Sequence, residues 1–178
     1  MTITLAIDTS TSRTSVAVIE DGVILWSGHR DGATEHGPAL PSLVQEGIQG
    51  FAIDAVVVGM GPGPYTGLRV GIAFAESFAL ARGISLRGVC SLDAIAAQVN
   101  EKDFIVTVDA RRKEVYWARY KDGVRIGEPA VSFPADVAGA PIYADLFPDM
   151  KALVALSGNI TEPIYLRRPD AVATADRT

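Results

Sequence analysis

A glycine-rich turn is the first stretch of this sequence that could do chemistry. Residues 59–71 read GMGPGPYTGLRVG, between an apolar strand pattern and a long segment of small and apolar residues. The glycines of the turn are Gly61, Gly63 and Gly67. Such a turn brings backbone N–H groups to a helix N-terminus, where a phosphate could bind. The turn is not a P-loop, because no Lys-Ser or Lys-Thr pair follows Gly67. Phosphate contact and a purely packing role both stay open.

A second candidate is the polar run after the first apolar strand pattern, where Asp8, Thr9 and Ser10 begin the sequence DTSTS. A carboxylate and several hydroxyls at the end of a buried strand could face the phosphates of a nucleotide. The same residues could instead form a turn in which Asp8 and Ser10 satisfy the backbone by hydrogen bonds. The spacing does not decide between these alternatives.

Few other side chains suit metal binding or nucleophilic catalysis. His29 and His36 carry the only imidazole rings, and we expect His36 to be a capping or surface residue rather than a metal ligand. Cys90 is the sole cysteine, so no internal disulfide can form. Its apolar neighbours predict a small buried side chain rather than a nucleophile.

The charge balance argues against binding nucleic acid through overall charge. The formal net charge is −5; residues 1–100 carry five basic against nine acidic side chains, and residues 101–178 carry eleven against twelve. Local basic spots occur at residues 111–113 and 167–168. No signal-peptide pattern or unbroken apolar run of membrane-spanning length occurs, so we expect a cytoplasmic protein without membrane association.

The pattern of elements predicts two lobes with the same opening. Each lobe begins with an apolar strand that ends in an aspartate, Asp8 or Asp109, and continues with a hairpin whose turn is Asp-Gly. The first lobe then follows the order βββαβαβα, which suggests a duplicated α/β fold.

We place the first lobe at residues 1–102 and a reduced second lobe at residues 103–178. Prolines after residue 134 divide the second lobe into short elements, and we expect residues 171–178 to form a frayed tail.

Two helix patterns of the first lobe could carry an interface. Residues 38–51 place apolar side chains on one helical face. The helix pattern at residues 68–82 carries a stripe of small residues. With the residue just before it, the stripe consists of Gly67, Gly71, Ala75 and Ala79, which are four positions apart. Such a stripe lets another backbone approach closely. That backbone could belong to the same lobe or to a partner protein.

Five motifs, in order and over nearly the whole chain, resemble the bacterial TsaB (YeaZ) family, whose members are paralogues of TsaD. They are LAIDTSTSRTSVAV (5–18), GPGPYTGLRVGIAFAESFALA (61–81), SLDAIA (91–96), VDARRKEVYWARY (108–120) and PIYLRRP (163–169). The resemblance implies the two-lobed fold of the actin-like ATPase, sugar kinase and Hsp70 superfamily, here with a shortened second lobe. It also implies that Asp8, Thr9 and Ser10 are a vestigial nucleotide loop.

The resemblance further implies a role in making N6-threonylcarbamoyladenosine in tRNA, in which TsaD is the transferase. TsaD-like proteins hold a metal through two histidines four residues apart. Alignment of that motif places Ser91 and Ile95 at the ligand positions, and neither binds a metal as histidine would. We therefore expect a pseudo-enzyme without a metal site, while ATP and metal belong to the complex.

Several partners follow from the same resemblance. TsaD is the main one, TsaE another, and the chain could pair with itself as a homodimer. The expected interface residues, on the two helices, are Leu40, Leu43, Val44, Gly67, Gly71, Ala75 and Phe78. Arg111, Arg112 and Arg168 could touch tRNA, which is expected to bind only through the complex.

Three alternatives stay open at this stage. A small-molecule kinase of the same fold would use Asp8 or Asp109 as a metal-binding or general-base carboxylate. A peptidase is disfavoured by the missing histidine pair and by the lack of a nucleophile turn. A scaffold for another partner, such as a protein acetyltransferase, would need neither.

Overall fold

The computed structural model describes residues 1–167 as an α/β protein built on two sheets. The strands are β1 (Ile3–Asp8), β2 (Arg13–Glu20), β3 (Val23–Asp31), β4 (Ala55–Gly59), β5 (Ser85–Val89), β6 (Asp103–Asp109), β7 (Val115–Lys121), β8 (Val124–Ser132) and β9 (Ile142–Tyr143). The helices are α1 (His36–Gly47), α2 (Tyr65–Arg82), α3 (Ser91–Ala96) and α4 (Met150–Ala155), with a 3-10 turn at Pro134–Asp136.

The two sheets share one arrangement. The first has the strand order β3-β2-β1-β4-β5, in which β1 pairs antiparallel with β2 and parallel with β4. The second has the order β8-β7-β6-β9, in which β6 pairs antiparallel with β7 and parallel with β9. The predicted element order of the first lobe is confirmed. After its hairpin, the described part of the second lobe adds only short elements.

The two predicted hairpin turns are also confirmed. Asp21 and Gly22 join β2 to β3 with φ of 44° and 83°, and Asp122 and Gly123 join β7 to β8 with φ of 49° and 78°. A two-residue turn with positive φ at both positions matches the right-handed twist of the strands that it connects. Asp-Gly suits that turn because both residues tolerate the left-handed region.

The boundaries of the two main helices differ from the predicted ones. Helix α1 begins at His36 and ends at Gly47, rather than covering residues 38–51. It ends early because the chain turns at Gly50, whose φ is 83°. Helix α2 begins at Tyr65, directly after Pro64, and so takes in the last part of the glycine turn. It stops at Gly83, which adopts φ of 63° and donates to the last carbonyls.

Helices α3 and α4 pack across the predicted lobe boundary. Leu92 and Ile95 of α3 belong to the core of the second sheet, whereas Met150 and Leu153 of α4 pack on β1, β2 and β4 of the first sheet. Ala94 lies between, in contact with the α4 cluster. The predicted lobe boundary at residue 102 therefore stays a prediction, because each sheet packs against a helix from the other half of the chain.

The structure corrects the predicted interface. Six of its seven residues are buried within this chain, namely Leu40, Leu43, Val44, Gly67, Gly71 and Ala75. They cannot present a docking surface, because they form the inner faces of α1 and α2 against the first sheet. The same-lobe alternative for the small stripe is thus correct, since Thr9 lies directly against Gly71. Phe78 alone stays partly exposed, stacked on Phe74.

Two further expectations concern the ends and the surface of the molecule. In the part of the chain that the structure describes, no helix is both long and apolar enough to span a membrane. The predicted tail at residues 171–178 and the basic residue Arg168 lie outside the described residues.

The close approach of α2 to Thr9 can be tested with two glycine substitutions. A Cβ at Gly71 would overlap the Thr9 side chain, whereas a Cβ at Gly37 of α1 would meet nothing within 4 Å. We expect Gly71→Ala to lower the free energy of unfolding by about 1–2 kcal/mol, because overpacking exceeds the gain in helix propensity. Gly37→Ala should be neutral or stabilising by up to about 1 kcal/mol. Urea unfolding followed by circular dichroism measures both. A Gly71→Ala protein as stable as wild type would contradict the tight packing.

Candidate functional site

The carboxylate of Asp8 lies at the end of β1 and is almost fully buried. Its Oδ1 accepts hydrogen bonds from the backbone N–H of Ser10 at 2.9 Å and from the Ser10 hydroxyl at 2.7 Å. Its Oδ2 accepts a hydrogen bond from the hydroxyl of Ser91, the first residue of α3, at 2.7 Å. The Ser91 oxygen in turn accepts from the backbone N–H of Gly61 at 3.3 Å. We call these four residues the Asp8 network.

The Asp8 network joins the polar loop to the glycine turn, and the turn fits only because it is glycine-rich. A Cβ at Gly59 would overlap the Asp8 carboxylate, and a Cβ at Gly63 would overlap the backbone of Ser10. The Thr9 hydroxyl donates to the carbonyl of Gly67 at 2.7 Å. The two candidate phosphate loops of the sequence therefore pack against each other, which favours the packing alternative for the glycines of the turn. Tyr65 and Thr66, at the start of α2, lie outside these contacts and are exposed.

Burial sets the protonation of the two titratable groups near this turn. Loss of water raises the pKa of the Asp8 carboxyl above its usual value, while the hydrogen bonds from Ser91 and Ser10 oppose the shift. Burial lowers the pKa of His36, whose Nδ1 lies 2.7 Å from the Thr14 hydroxyl oxygen. His36 is thus a neutral core residue, and its prediction as a cap or surface residue is wrong. Sequence periodicity gave no sign of the bond to Thr14.

The two positions that align with the TsaD-type metal ligands are buried and inaccessible to solvent. Ser91 and Ile95 are both buried at the start of α3, and the Ser91 hydroxyl is committed to Asp8. Within residues 1–167, no group of three His, Cys, Asp or Glu side chains is placed to hold a metal ion. Cys90 is buried as predicted, and burial raises the pKa of its thiol to about 11, so it is a poor nucleophile.

Asp109, at the end of β6, repeats the turn of Asp8 in the open. Its Oδ1 accepts from the backbone N–H of Arg111 at 2.9 Å, just as Asp8 accepts from Ser10. Its side chain is 68% exposed and lies 3.7 Å from the Arg111 guanidinium. The aspartate at the end of the strand is therefore buried in the first lobe and exposed to solvent in the second.

A cavity of about 390 Å³ lies between the lobes beside these strand ends. Three segments line it: residues 63–66 at the start of α2, residues 110–112 after β6, and residues 165–167, with Tyr116 at its side. The residues of the Asp8 network do not line this cavity, and Asp8 and Ser91 are hydrogen-bonded to each other.

The raised pKa of Asp8 predicts how its removal changes stability with pH. Well below pH 3.8, the usual pKa of an aspartate, the carboxyl is protonated in both folded and unfolded chains. As pH rises, the unfolded chain loses this proton first, so the group contributes less and less to stability until pH passes its folded pKa. Asp8→Asn keeps an oxygen for Ser10 and cannot ionise. Its unfolding free energy relative to wild type should therefore rise between pH 4 and pH 7 in urea titrations.

Asp8→Ala is the matched comparison. It leaves the hydroxyls of Ser10 and Ser91 without their acceptor and cannot ionise either, so it should be less stable than Asp8→Asn by roughly 1–3 kcal/mol at every pH. A constant difference between Asp8→Asn and wild type over this pH range would contradict the burial effect.

Three comparisons place this geometry among known proteins. The family model described as "TsaD: tRNA N6-adenosine threonylcarbamoyltransferase" matches residues 29–171. An uncharacterised protein of Mycobacterium tuberculosis is 43% identical, over 94% of this chain and 92% of its own length. The tRNA threonylcarbamoyladenosine biosynthesis protein TsaB of Escherichia coli is 35% identical over 70% of this chain. The alignment spans only 58% of that TsaB's length.

The solved structures agree with the sequence relatives. A Pseudomonas aeruginosa protein described as similar to peptidase YeaZ matches with a TM-score of 0.79 and 27% identity, over 94% of this chain and 100% of its own. YeaZ from the same organism matches with a TM-score of 0.74. The fold is thus the two-lobed α/β fold of the actin-like ATPase and sugar kinase superfamily, as predicted. The chain belongs to the TsaB (YeaZ) family, which lies within the wider TsaD family.

Proposed function

We propose that this chain is a non-catalytic subunit in the synthesis of N6-threonylcarbamoyladenosine in tRNA, which binds the TsaD transferase and favours its active state. Its relatives named TsaB are biosynthesis proteins for this modification. A protein that only binds can still activate an enzyme, if its contacts are stronger in the active arrangement than in the inactive one.

The observation that supports this proposal is that Ser91 and Ile95, which align with the metal ligands of TsaD, are buried. Ser91 is hydrogen-bonded to Asp8, and Ile95 is fully buried in the second core. A metal at this place would need both side chains replaced and the Asp8 network opened. This supports a chain that kept the fold of a transferase and lost its reaction centre. The kinase alternative would need Asp8 as a free carboxylate, which the same network opposes.

The docking surface that we propose is the outer face of α2, which we define as Ala73, Ser77, Leu80 and Ala81. All four side chains point to solvent, and Leu80 is 85% exposed. Ala73, Ser77 and Ala81 lie four apart, so this face has the same small-residue spacing as the buried face. A partner helix could therefore approach the backbone of α2 closely. Phe74 and Phe78 stack beside it at a centroid distance of 6.1 Å and stiffen its flank.

TsaD is the occupant that this face fits best. An exposed leucine beside small residues suits the apolar face of a partner helix. TsaD has the same fold as this chain in our proposal, and so an equivalent helix to offer. A second copy of this chain would use the same face, so self-association should compete with TsaD. TsaE would join through the resulting complex, and tRNA would bind tightly only to that complex.

Mixing the chain with TsaD of the same organism tests both parts of the proposal. Size exclusion with light scattering should show a heterodimer. Ser77→Arg places a charged side chain in the outer face of α2 and should weaken association at least about 10-fold, as expected for the centre of an interface. Ser85→Arg adds the same side chain on the exposed edge strand β5 and should have no effect.

Two results would count against us in different ways. If wild type fails to associate at any concentration, with or without nucleotide, the partner function is wrong. If wild type and Ser77→Arg associate equally well, the partner function stands and the outer face of α2 is not the interface.

A further inference from the structure

The fold brings together two basic spots that are far apart in the sequence. Arg111 and Arg112 follow β6, whereas Arg167 lies near the end of the described chain, and all three line the cavity between the lobes. The Arg167 guanidinium donates to the carbonyl of Ala110 at 2.9 Å and forms an ion pair with Glu114. These contacts hold the last described segment against the β6–β7 loop. Arg111 also lies 3.7 Å from the Asp109 carboxylate, so the three arginines and these two carboxylates leave one net positive charge at this opening of a chain whose net charge is −5.

The cavity is suited to an anion on its other wall as well. The N-terminus of the 18-residue helix α2 contributes Pro64, Tyr65 and Thr66. No side chain caps this terminus, and its first turn has no acidic residue, so its N–H groups and positive dipole end stay available. Among the described residues that line the cavity, none is a carboxylate.

Aromatic rings complete the lining. Tyr65 and Tyr165 lie with ring centroids 5.0 Å apart and are 38% and 41% exposed, and the buried Tyr116 also lines the cavity. Arg69 stands over the Tyr65 ring at 5.3 Å and donates to its hydroxyl at 3.1 Å. Exposed tyrosines interleaved with arginines are the combination that binds unpaired nucleotides, by stacking on the base and pairing with the phosphate.

We propose that this cavity binds an unpaired nucleotide of an RNA strand, with its phosphates against Arg111, Arg112 and the start of α2 and its base against the tyrosines. A volume of about 390 Å³ suits one nucleotide rather than a helix. The cations continue beyond the cavity to Arg69 and to exposed Lys113, as a strand of several phosphates requires. The identity of that RNA as tRNA rests on the proposed function; binding of single-stranded RNA does not.

The loop that carries the arginines permits a clean test. Arg111 and Arg112 adopt φ of 63° and 55°, in the left-handed region that asparagine tolerates best among residues with a side chain. The double variant Arg111→Asn/Arg112→Asn therefore removes two positive charges and keeps the backbone preference. The control Arg87→Gln/Lys121→Gln removes the same charge from exposed strand positions outside the cavity.

The measurement is fluorescence anisotropy of the full chain with a labelled single-stranded RNA of about 15 nucleotides, at several salt concentrations. The Asn/Asn variant should bind at least about 10-fold more weakly than wild type, and its plot of log affinity against log salt should be shallower by about 1.4, the value for two lost phosphate contacts. The control should match wild type in slope. Thermal unfolding of all three proteins excludes a loss of fold.

Each other outcome overturns the proposal. The proposal is wrong if the wild-type chain binds no RNA at low salt. It is also wrong if the Asn/Asn variant binds RNA as tightly as the control variant does. Titration of AMP and ADP separates a nucleotide pocket from an RNA site: binding of free nucleotide without binding of the RNA would assign the cavity to a small ligand. Association with TsaD is measured without RNA, so failure there leaves this result unaffected.

Discussion

The buried carboxylate of Asp8 is the constraint on which the rest of the structure depends. A carboxyl group removed from water is tolerated only when hydrogen-bond donors replace the water. Here the donors are Ser10, in the loop after β1, and Ser91, at the start of α3. Satisfying one side chain therefore fixes the first strand, the glycine turn and the helix that enters the second core. The position of α2, and with it one wall of the cavity between the lobes, follows from that contact.

The same chemistry has opposite results in the two lobes. Asp8 and Asp109 end equivalent strands and accept the same backbone hydrogen bond, at 2.9 Å in each case. Asp8 is covered by Ser91 and the glycine turn, whereas Asp109 stays in solvent beside Arg111. The two strand ends thus share a turn and differ in their surroundings. Asp8 connects buried elements of the core, whereas Asp109 lies exposed beside Arg111.

The sequence predicted those features whose signals are local. Element order and both Asp-Gly hairpins follow from periodicity and turn chemistry within a few residues. It could not predict which face of α2 is buried, because Gly71 and Ala75 are as small and as evenly spaced as Ala73 and Ser77. Only the contact with Thr9, from a different element, decides between the faces. The burial of His36 depends in the same way on Thr14, 22 residues away.

The convergence of Arg111 and Arg112 with Arg167 has a consequence for how net charge should be read. A formal charge of −5 is an average over the surface, and it speaks against nonspecific attraction of RNA at a distance. Within a Debye length of about 8 Å, however, a ligand responds to the charges lining its own site. An acidic chain with one basic opening would repel RNA over most of its surface and accept it only there. Such a distribution favours selective contact in an assembly over tight binding by the free subunit.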